Sequence, residues 1–136
     1  MDNSLIVYPA FSMVCLTFIL YIKNRLDVGR AIKEKKLELK YVKLYNIDPP
    51  DYVDLSRQTL KNQFESPILF YVLVCMLFVN DNLTNLDLFL AWIYAISRYL
   101  HAYVRLSRNY IPHRALVFTL GLVILLVSWI SFLTKL

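Results

Sequence analysis

The chain is poor in cysteine, glycine, histidine and charge, and each shortage removes a class of protein. Its 136 residues include two cysteines, two glycines and two histidines, and 18% of them are charged. Neither a Walker loop, nor a dinucleotide-binding fingerprint, nor an H-E-x-x-H motif occurs. The histidines and cysteines lack the spacing of metal ligands, so we predict no metal site. No nucleophilic triad is recognisable either.

The two cysteines, Cys15 and Cys75, both fall in apolar segments. If those segments are helices that rise 1.5 Å per residue, the two thiols differ in depth by roughly 12 Å. A disulfide bond between them within one chain is therefore not expected. We predict that both are small, buried, apolar side chains.

Apolar residues dominate what remains. Hydrophobic residues make up 58% of the chain, which is too many for an ordinary soluble domain. About 20 apolar residues suffice to span a bilayer as a helix, and four segments approach that length: 5–22, 60–79, 86–104 and 115–133. We predict one all-α domain over residues 1–136, an integral membrane four-helix bundle.

The basic residues are unevenly distributed among the predicted loops. Eight Lys and Arg lie in 23–54 and three in 105–114, whereas 1–4 and 80–85 contain none. The positive-inside rule then places both basic loops in the cytoplasm and both termini on the other side. The net charge of +5 is thus explained without nucleic acid. We predict a multi-pass protein of a bacterial inner membrane or an endomembrane, with membrane lipids around it.

The first basic loop begins with a stretch, Lys23–Tyr45, that contains no proline and a single glycine. We expect it to prolong the first helix into the cytoplasm until the acidic loop around Pro49 and Pro50. Most of its charges are interpreted as a solvated face. Arg25 and Arg30 are exceptions, because they lie near the membrane surface and could reach an anionic ligand.

The second predicted span opens with polar residues. Gln58, Asn62 and Glu65 follow at i, i+4 and i+7, a spacing that places them on one helical face. Arg57 lies just ahead, and Pro67 permits a kink. Polar groups on a membrane helix are costly and are usually kept for a ligand or a partner. The alternative is a buried Lys–Glu or Arg–Glu pair that holds the bundle together.

The third predicted span carries one polar stripe, which consists of Tyr94, Arg98, His101 and Arg105. Such a stripe should face neighbouring helices or a wet cavity, not lipid. It runs to the same end of the bundle as the polar residues of the second span. A structural role and a ligand-binding role are both open for it.

Arg114 lies at the start of the fourth span, just after Pro112, which suits a first helical turn. A cation there opposes the helix dipole, so helix stability does not explain it. With the free N–H groups it would form an anion site. The alternative is an anchor that reaches toward phosphate headgroups.

The segment N-Q-F-E-S-P-I-L-F-Y-V-L resembles the membrane-associated proteins in eicosanoid and glutathione metabolism, the MAPEG superfamily, and most closely its bacterial members. Asn62, Glu65 and Pro67 match the second helix of that family. The motifs Arg98-x-x-His101 and Pro112-x-Arg114 are similar to those of its microsomal prostaglandin E synthase branch. Gln58 and Ser66 are departures, since active glutathione-binding members usually carry arginine at the first of these positions and some members carry tyrosine at the second.

The resemblance implies a homotrimer that binds glutathione as co-substrate in clefts between subunits. Asn62, Glu65, Arg98 and His101 would hold glutathione, and Arg114 would lie beside its thiol as the catalytic residue. Arg57 and Arg30 are further candidate contacts.

Three functional hypotheses follow. The first is a glutathione-dependent transferase or peroxidase that acts on lipophilic small molecules. The second is a non-enzymatic membrane module that binds a lipid or a protein on the same scaffold. The third is a small transporter with Glu65 on an ion path.

Overall fold

The computed structural model describes residues 2–44 and 48–136, without the side chains of Val42 and Leu44. Within those residues the chain forms helices and no strand, which confirms the all-helical prediction. The α-helices are α1 (Val7–Lys33), α2 (Leu39–Leu44), α3 (Asp51–Lys61), α4 (Ser66–Val79), α5 (Asn85–Leu106) and α6 (Ile111–Leu133). Short 3-10 turns precede α1, at Asn3–Ile6, and join α3 to α4, at Asn62–Phe64.

Three helical stretches are long and apolar enough to cross a membrane: Asn3–Lys33, Asp51–Val79 and Ile111–Leu133. They contain the first, second and fourth predicted spans. Helix α5, at the place of the third, has 22 residues but is not among the three. Its polar stripe and Asp87 dilute its hydropathy. Sequence and structure therefore agree on three apolar helices.

Helices α5 and α6 pack side by side in opposite directions. Ser97 lies against Gly121, and the ring of His101 lies 5.4 Å from that of Phe118, so residue numbers rise on one helix as they fall on the other. A Cβ added to Gly121 would lie 2.8 Å from the Ser97 hydroxyl oxygen. Small residues at this crossing let the two backbones approach closely, as is common between membrane helices.

The two ends of the helix bundle can be told apart by their contacts. The side chain of Asn3 donates to Asp81 at 2.6 Å, so the start of α1 lies beside the end of α4. At the other end, Ser56 of α3 donates to Asn24 of α1 at 3.2 Å. We call this second end, where α3 begins and α5 finishes, the basic end. It carries nearly all the lysines and arginines of the chain.

Helix α1 continues past the first predicted span but stops short of the predicted extension. It ends at Lys33, and Lys35 adopts a left-handed conformation with φ 56°. The chain turns there because Leu37 and Tyr41 pack into a small apolar cluster with Ala31 and Val53. The prediction of a continuous helix is therefore wrong at residue 34. Its last residue, Tyr45, lies outside the described part.

Glu34 holds the start of this turn. It accepts from Arg30 at 2.7 Å and lies 2.7 Å from the ammonium of Lys36. These hydrogen bonds lower the pKa of Glu34 to about 2. Since the pKa is lowered, the two contacts are fully present at neutral pH and are lost only as the pH falls toward that value.

One of the two predictions about the cysteines is confirmed and the other is wrong. Cys15 and Cys75 are both free, as expected. Cys75, however, is exposed on the outer surface of α4, and Cys15 is only half-buried. The expectation that both are buried is wrong, because an apolar helix that faces lipid has no solvent-exposed polar face to reveal its orientation in the sequence.

Asp87 anchors the end of the bundle opposite the basic end. Only 3% of it is exposed. Its carboxylate accepts from the backbone N–H and the hydroxyl of Thr84, at 2.9 and 2.6 Å, and from Ser131 at 3.1 Å. It also forms an ion pair with Lys135. One carboxylate thus caps α5 and fixes the end of α6.

We expect Asp87→Ala to destabilise the protein by about 3 kcal/mol, because it removes a buried carboxylate that caps α5 and leaves the partly buried ammonium of Lys135 without its partner. Thermal unfolding in detergent should show a clear fall in Tm. The matched control is Asp48→Ala, at an exposed position, which should leave Tm nearly unchanged. Equal melting temperatures for the two variants would contradict a stabilising role for Asp87.

Candidate functional site

The candidate site forms where the second helical stretch is broken. Helix α3 ends at Lys61, the 3-10 turn Asn62–Phe64 follows, and Glu65 has φ −104° and ψ −105° before α4 begins. Pro67 has no N–H to continue the helical ladder across this point. The predicted kink is confirmed, but Glu65 does not continue a helical face from Asn62. It is exposed, whereas Gln63 is buried.

The polar stripe of α5 faces the interior, as predicted. Only 1% of Tyr94, 1% of Arg98 and 2% of His101 is exposed. Arg98 donates to the backbone carbonyl of Asn62 at 3.3 Å, and its guanidinium lies 5.5 Å from the ring centre of Phe118. The stripe therefore reaches across to the broken helix from one side and packs on α6 on the other.

Arg105, in the last turn of α5, joins the same place. It donates through Nη2 to the side-chain oxygen of Gln58. When the amide of Asn62 is oriented to satisfy both its atoms, its oxygen accepts from Arg105 Nη1 at 2.8 Å and its nitrogen donates to the Gln58 carbonyl at 3.3 Å. The polar ends of the second and third predicted spans thus meet at one depth, as expected.

Arg114 is held by the turn between α5 and α6. Asn109 has φ 46°, a left-handed conformation that asparagine tolerates better than most residues, and its N–H bonds to the Val104 carbonyl at 2.9 Å. Its side-chain oxygen accepts from Arg114 Nη1 at 2.7 Å. Arg114 is half-buried, and its charge acts on both His101 and Arg105.

Arg98, Arg105 and Arg114, which we call the guanidinium cluster, surround His101 without a counter-ion. Among residues 2–44 and 48–136, none of the three forms an ion pair. Glu65 acts electrostatically on Arg98 and Arg105, but it too forms no ion pair there. The alternative of a Lys–Glu or Arg–Glu pair that seals the bundle is therefore not realised within the described chain.

Several buried polar atoms in this region, among them the Nε donors of two arginines, also lack hydrogen-bond partners in the part of the chain that the structure describes. Arg98 Nε, His101 Nδ1 and Arg105 Nε have no hydrogen-bond partner among the described atoms, and neither does the side-chain amide of Gln63. Buried polar groups are normally paired, and each one left alone carries a free-energy cost. Positive charge and unpaired donors in one place are what an anionic ligand with several oxygen acceptors would satisfy.

A separate cleft of about 980 Å³ runs between α1 and α3. Its walls combine basic and aromatic side chains, namely Arg25, Arg57, Lys61, Tyr21, Tyr41 and Phe64. Arg57 donates to Asp54 at 2.7 Å and to the Tyr41 hydroxyl at 3.0 Å. Asp54 in turn acts on Arg105. Arg57 thus belongs to the cleft and is linked to the cluster through one carboxylate.

Arg30 is not brought to either place. It donates to Glu34 at 2.7 Å and lies 5.4 Å from the ring centre of Tyr52, on a separate surface groove. Arg105, a member of the predicted polar stripe but not one of the predicted glutathione contacts, bonds directly to two polar residues of the site. Its i+7 spacing from Arg98 was the available signal. Nothing in the sequence marked Gln63 as buried.

The sequence profile of the MAPEG family matches residues 6–134, nearly the whole chain. No curated protein and no solved structure matches the chain significantly.

We expect Arg98→Met to raise Tm. Replacement of a buried charge that lacks a counter-ion by an apolar side chain of similar length should stabilise the fold by about 1 kcal/mol or more. Thermal unfolding in detergent, with Arg108→Met at an exposed position as the control, tests this. A lower Tm for Arg98→Met than for the control would mean that Arg98 serves the fold and not a ligand.

Proposed function

Because this chain belongs to the MAPEG family, a family of membrane proteins related to glutathione and eicosanoid metabolism, we propose that it is a glutathione-dependent membrane enzyme. It acts as a transferase or peroxidase on lipophilic electrophiles. The observation that carries the proposal is the guanidinium cluster, where three guanidinium groups and buried donors without acceptors meet beside an apolar bundle.

The proposal includes a topology. Helix α5 is the remaining span, the third in chain order: its 22 residues give a length of about 33 Å, enough for the hydrocarbon core. The single domain of residues 1–136 then crosses four times, with the basic end in the cytoplasm and both termini outside. The exposed apolar faces of α1, α4 and α6 contact lipid or further copies of the chain, and the assembly is a homotrimer.

Glutathione offers groups that suit the site. Its two carboxylates provide acceptors for Arg98, His101 and Asn62, and its ammonium suits the free carboxylate of Glu65. Arg57 can reach an extended ligand from the neighbouring cleft. Arg30 is engaged with Glu34 and Tyr52 and is left out of the proposed set.

Arg114 is the proposed catalytic residue because of what a cation does to a thiol. A free thiol has a pKa of about 8.5, so only a few per cent is thiolate at pH 7. A cation about 4 Å away, at an effective dielectric constant of about 20, contributes at most about 4 kcal/mol, or roughly three pKa units. The start of α6 acts in the same direction. Arg114 can therefore hold a bound thiol as the nucleophilic thiolate without a side-chain base.

A second function has support from the cleft between α1 and α3. Basic and aromatic walls together suit an anionic amphiphile, with its headgroup at Arg25, Arg57 and Lys61. On this alternative the protein is a non-enzymatic module that binds lipid. The transporter hypothesis has less support, because Glu65 is exposed and does not lie on a buried path.

We expect Arg114→Ala to lower turnover of glutathione with a chlorodinitrobenzene-type electrophile by about 10- to 100-fold at pH 7, because the thiol pKa returns toward 8.5. The loss should shrink as the pH rises through that value. A pH–rate profile of purified protein checks both effects, with Arg108→Ala as a control of equal charge. Glutathione binding without turnover in the unaltered protein would favour the lipid-binding module.

Gly29 offers a test of the cleft. A Cβ added there would meet no atom within 4 Å, and Gly29 lines the cleft. We expect Gly29→Phe to fold normally and to abolish binding of an anionic amphiphile, such as a spin-labelled fatty acid, if the second function holds. Gly29→Ala is the matched control. Unchanged amphiphile binding in Gly29→Phe would remove the cleft from consideration.

A further inference from the structure

Arg105 joins α5 to α3 through hydrogen bonds to Gln58 and Asn62, but its positive charge has no ion-pair partner among the described residues. It is half-buried, its Nε is buried without an acceptor, and no carboxylate pairs with it in the described part of the chain. The charge of Arg114 acts on it unfavourably, whereas Asp54 and Glu65 act on it favourably without forming an ion pair with it. A guanidinium group beside another cation, with unused donors, reduces stability unless an anion is bound there.

Two of the five N–H donors of Arg105 are already used, one on Gln58 and one on Asn62. These two bonds hold the plane of the guanidinium, because both Nη atoms are anchored. The Nε edge and the remaining Nη hydrogens are left over. A planar fork held in this way suits a carboxylate better than a mobile cation does.

The orientation of Gln58 is itself determined. Its amide nitrogen donates to one oxygen of Asp54, while the other oxygen of Asp54 accepts from Arg57 at 2.7 Å. A carboxylate accepts and cannot donate, so it fixes which end of the amide faces it. The oxygen of Gln58 must then face the opposite way, toward Arg105. Asp54, Gln58 and Arg105 form a directed chain of hydrogen bonds from α3 to α5.

We propose that Arg105 is an anion-binding residue of this site and that Gln58, oriented by Asp54, is the residue that positions it. The inference rests on the proposed function and deepens it: Arg105 binds a carboxylate of the thiol co-substrate next to Asn62. Arg105 is then a contact of the ligand, whereas Asp54 and Gln58 act only through it.

The test uses the full chain in detergent or lipid nanodiscs. Calorimetric titration with glutathione gives Kd, and steady-state turnover gives kcat and KM. Arg105→Leu should weaken glutathione binding about 10- to 100-fold, because a charge-assisted hydrogen bond is lost. Arg105→Lys should recover part of the affinity, since it keeps the charge but not the fork. The control, Arg108→Leu, removes an equal charge at an exposed position and should bind as the unaltered chain does.

Gln58→Met and Asp54→Asn test the positioning role. Both should raise KM about 3- to 10-fold and leave kcat nearly unchanged, because a misplaced cation weakens ground-state and transition-state binding alike. If Arg105→Leu does not fold, Arg105→Lys and Gln58→Met decide the question. A fall in kcat without a change in KM in Gln58→Met would overturn the positioning role.

The two levels of the proposal fail in different ways. If the unaltered chain neither binds glutathione nor turns it over, the proposed function is wrong and the inference about Arg105 falls with it. If the unaltered chain binds glutathione and Arg105→Leu binds it as tightly as Arg108→Leu does, only the inference about Arg105 is wrong.

Discussion

The defining property of the basic end of this helix bundle is that its inward-facing arginines have no carboxylate as an ion-pair partner in the described part of the chain. Arg98, Arg105 and Arg114 lie around His101, and no carboxylate pairs with them in the described residues. In the low dielectric of a bundle interior, like charges repel more strongly than in water and an unpaired guanidinium loses its hydration. A fold optimised only for stability would not assemble such a group. Its presence beside unpaired donors is a physical argument for a bound anion.

The break between α3 and α4 makes this assembly possible. A continuous helix would keep its carbonyls engaged in the i→i−4 ladder and would leave no acceptor for α5. Because the ladder is interrupted at Asn62–Phe64 and Pro67 cannot restore it, the carbonyl of Asn62 is available to Arg98. The same break leaves Glu65 exposed. Pro67 thus influences both the position of Arg98, through the Asn62 carbonyl, and the exposure of Glu65.

Support for the site is distributed over the fold. Asn109 ends α5 in a left-handed conformation and also holds Arg114. Asp54 serves the cleft through Arg57 and the cluster through Gln58. The opposite end is fixed separately by Asp87, which ties α5 to the end of α6. The end that contains Asp87 is therefore stabilised by hydrogen bonds and an ion pair, whereas the basic end keeps unpaired cations that reduce the stability of the fold.

Sequence periodicity was sufficient for much of this. The apolar runs predicted helices, although the second of them is broken at Asn62–Phe64. The stripe on α5 faces inward because exposure of charged groups to lipid costs too much free energy. Family membership also followed from short motifs, and the match over residues 6–134 agrees with it. Local sequence patterns did not predict features that depend on packing. Helix α1 ends at Lys33 because Leu37 and Tyr41 turn back onto Ala31 and Val53.

The sequence by itself determined that the chain is helical, that one face of α5 is polar and which end is basic, because these depend on composition and on periods of a few residues. Only the tertiary structure decided which polar groups have partners. Glu65 forms no ion pair within the described residues, and Cys75 is exposed. Arg30 lies away from the guanidinium cluster, whereas Arg105 bonds to residues of the site. Partnership depends on contacts between helices 36 to 47 residues apart along the chain, and no local pattern encodes such contacts.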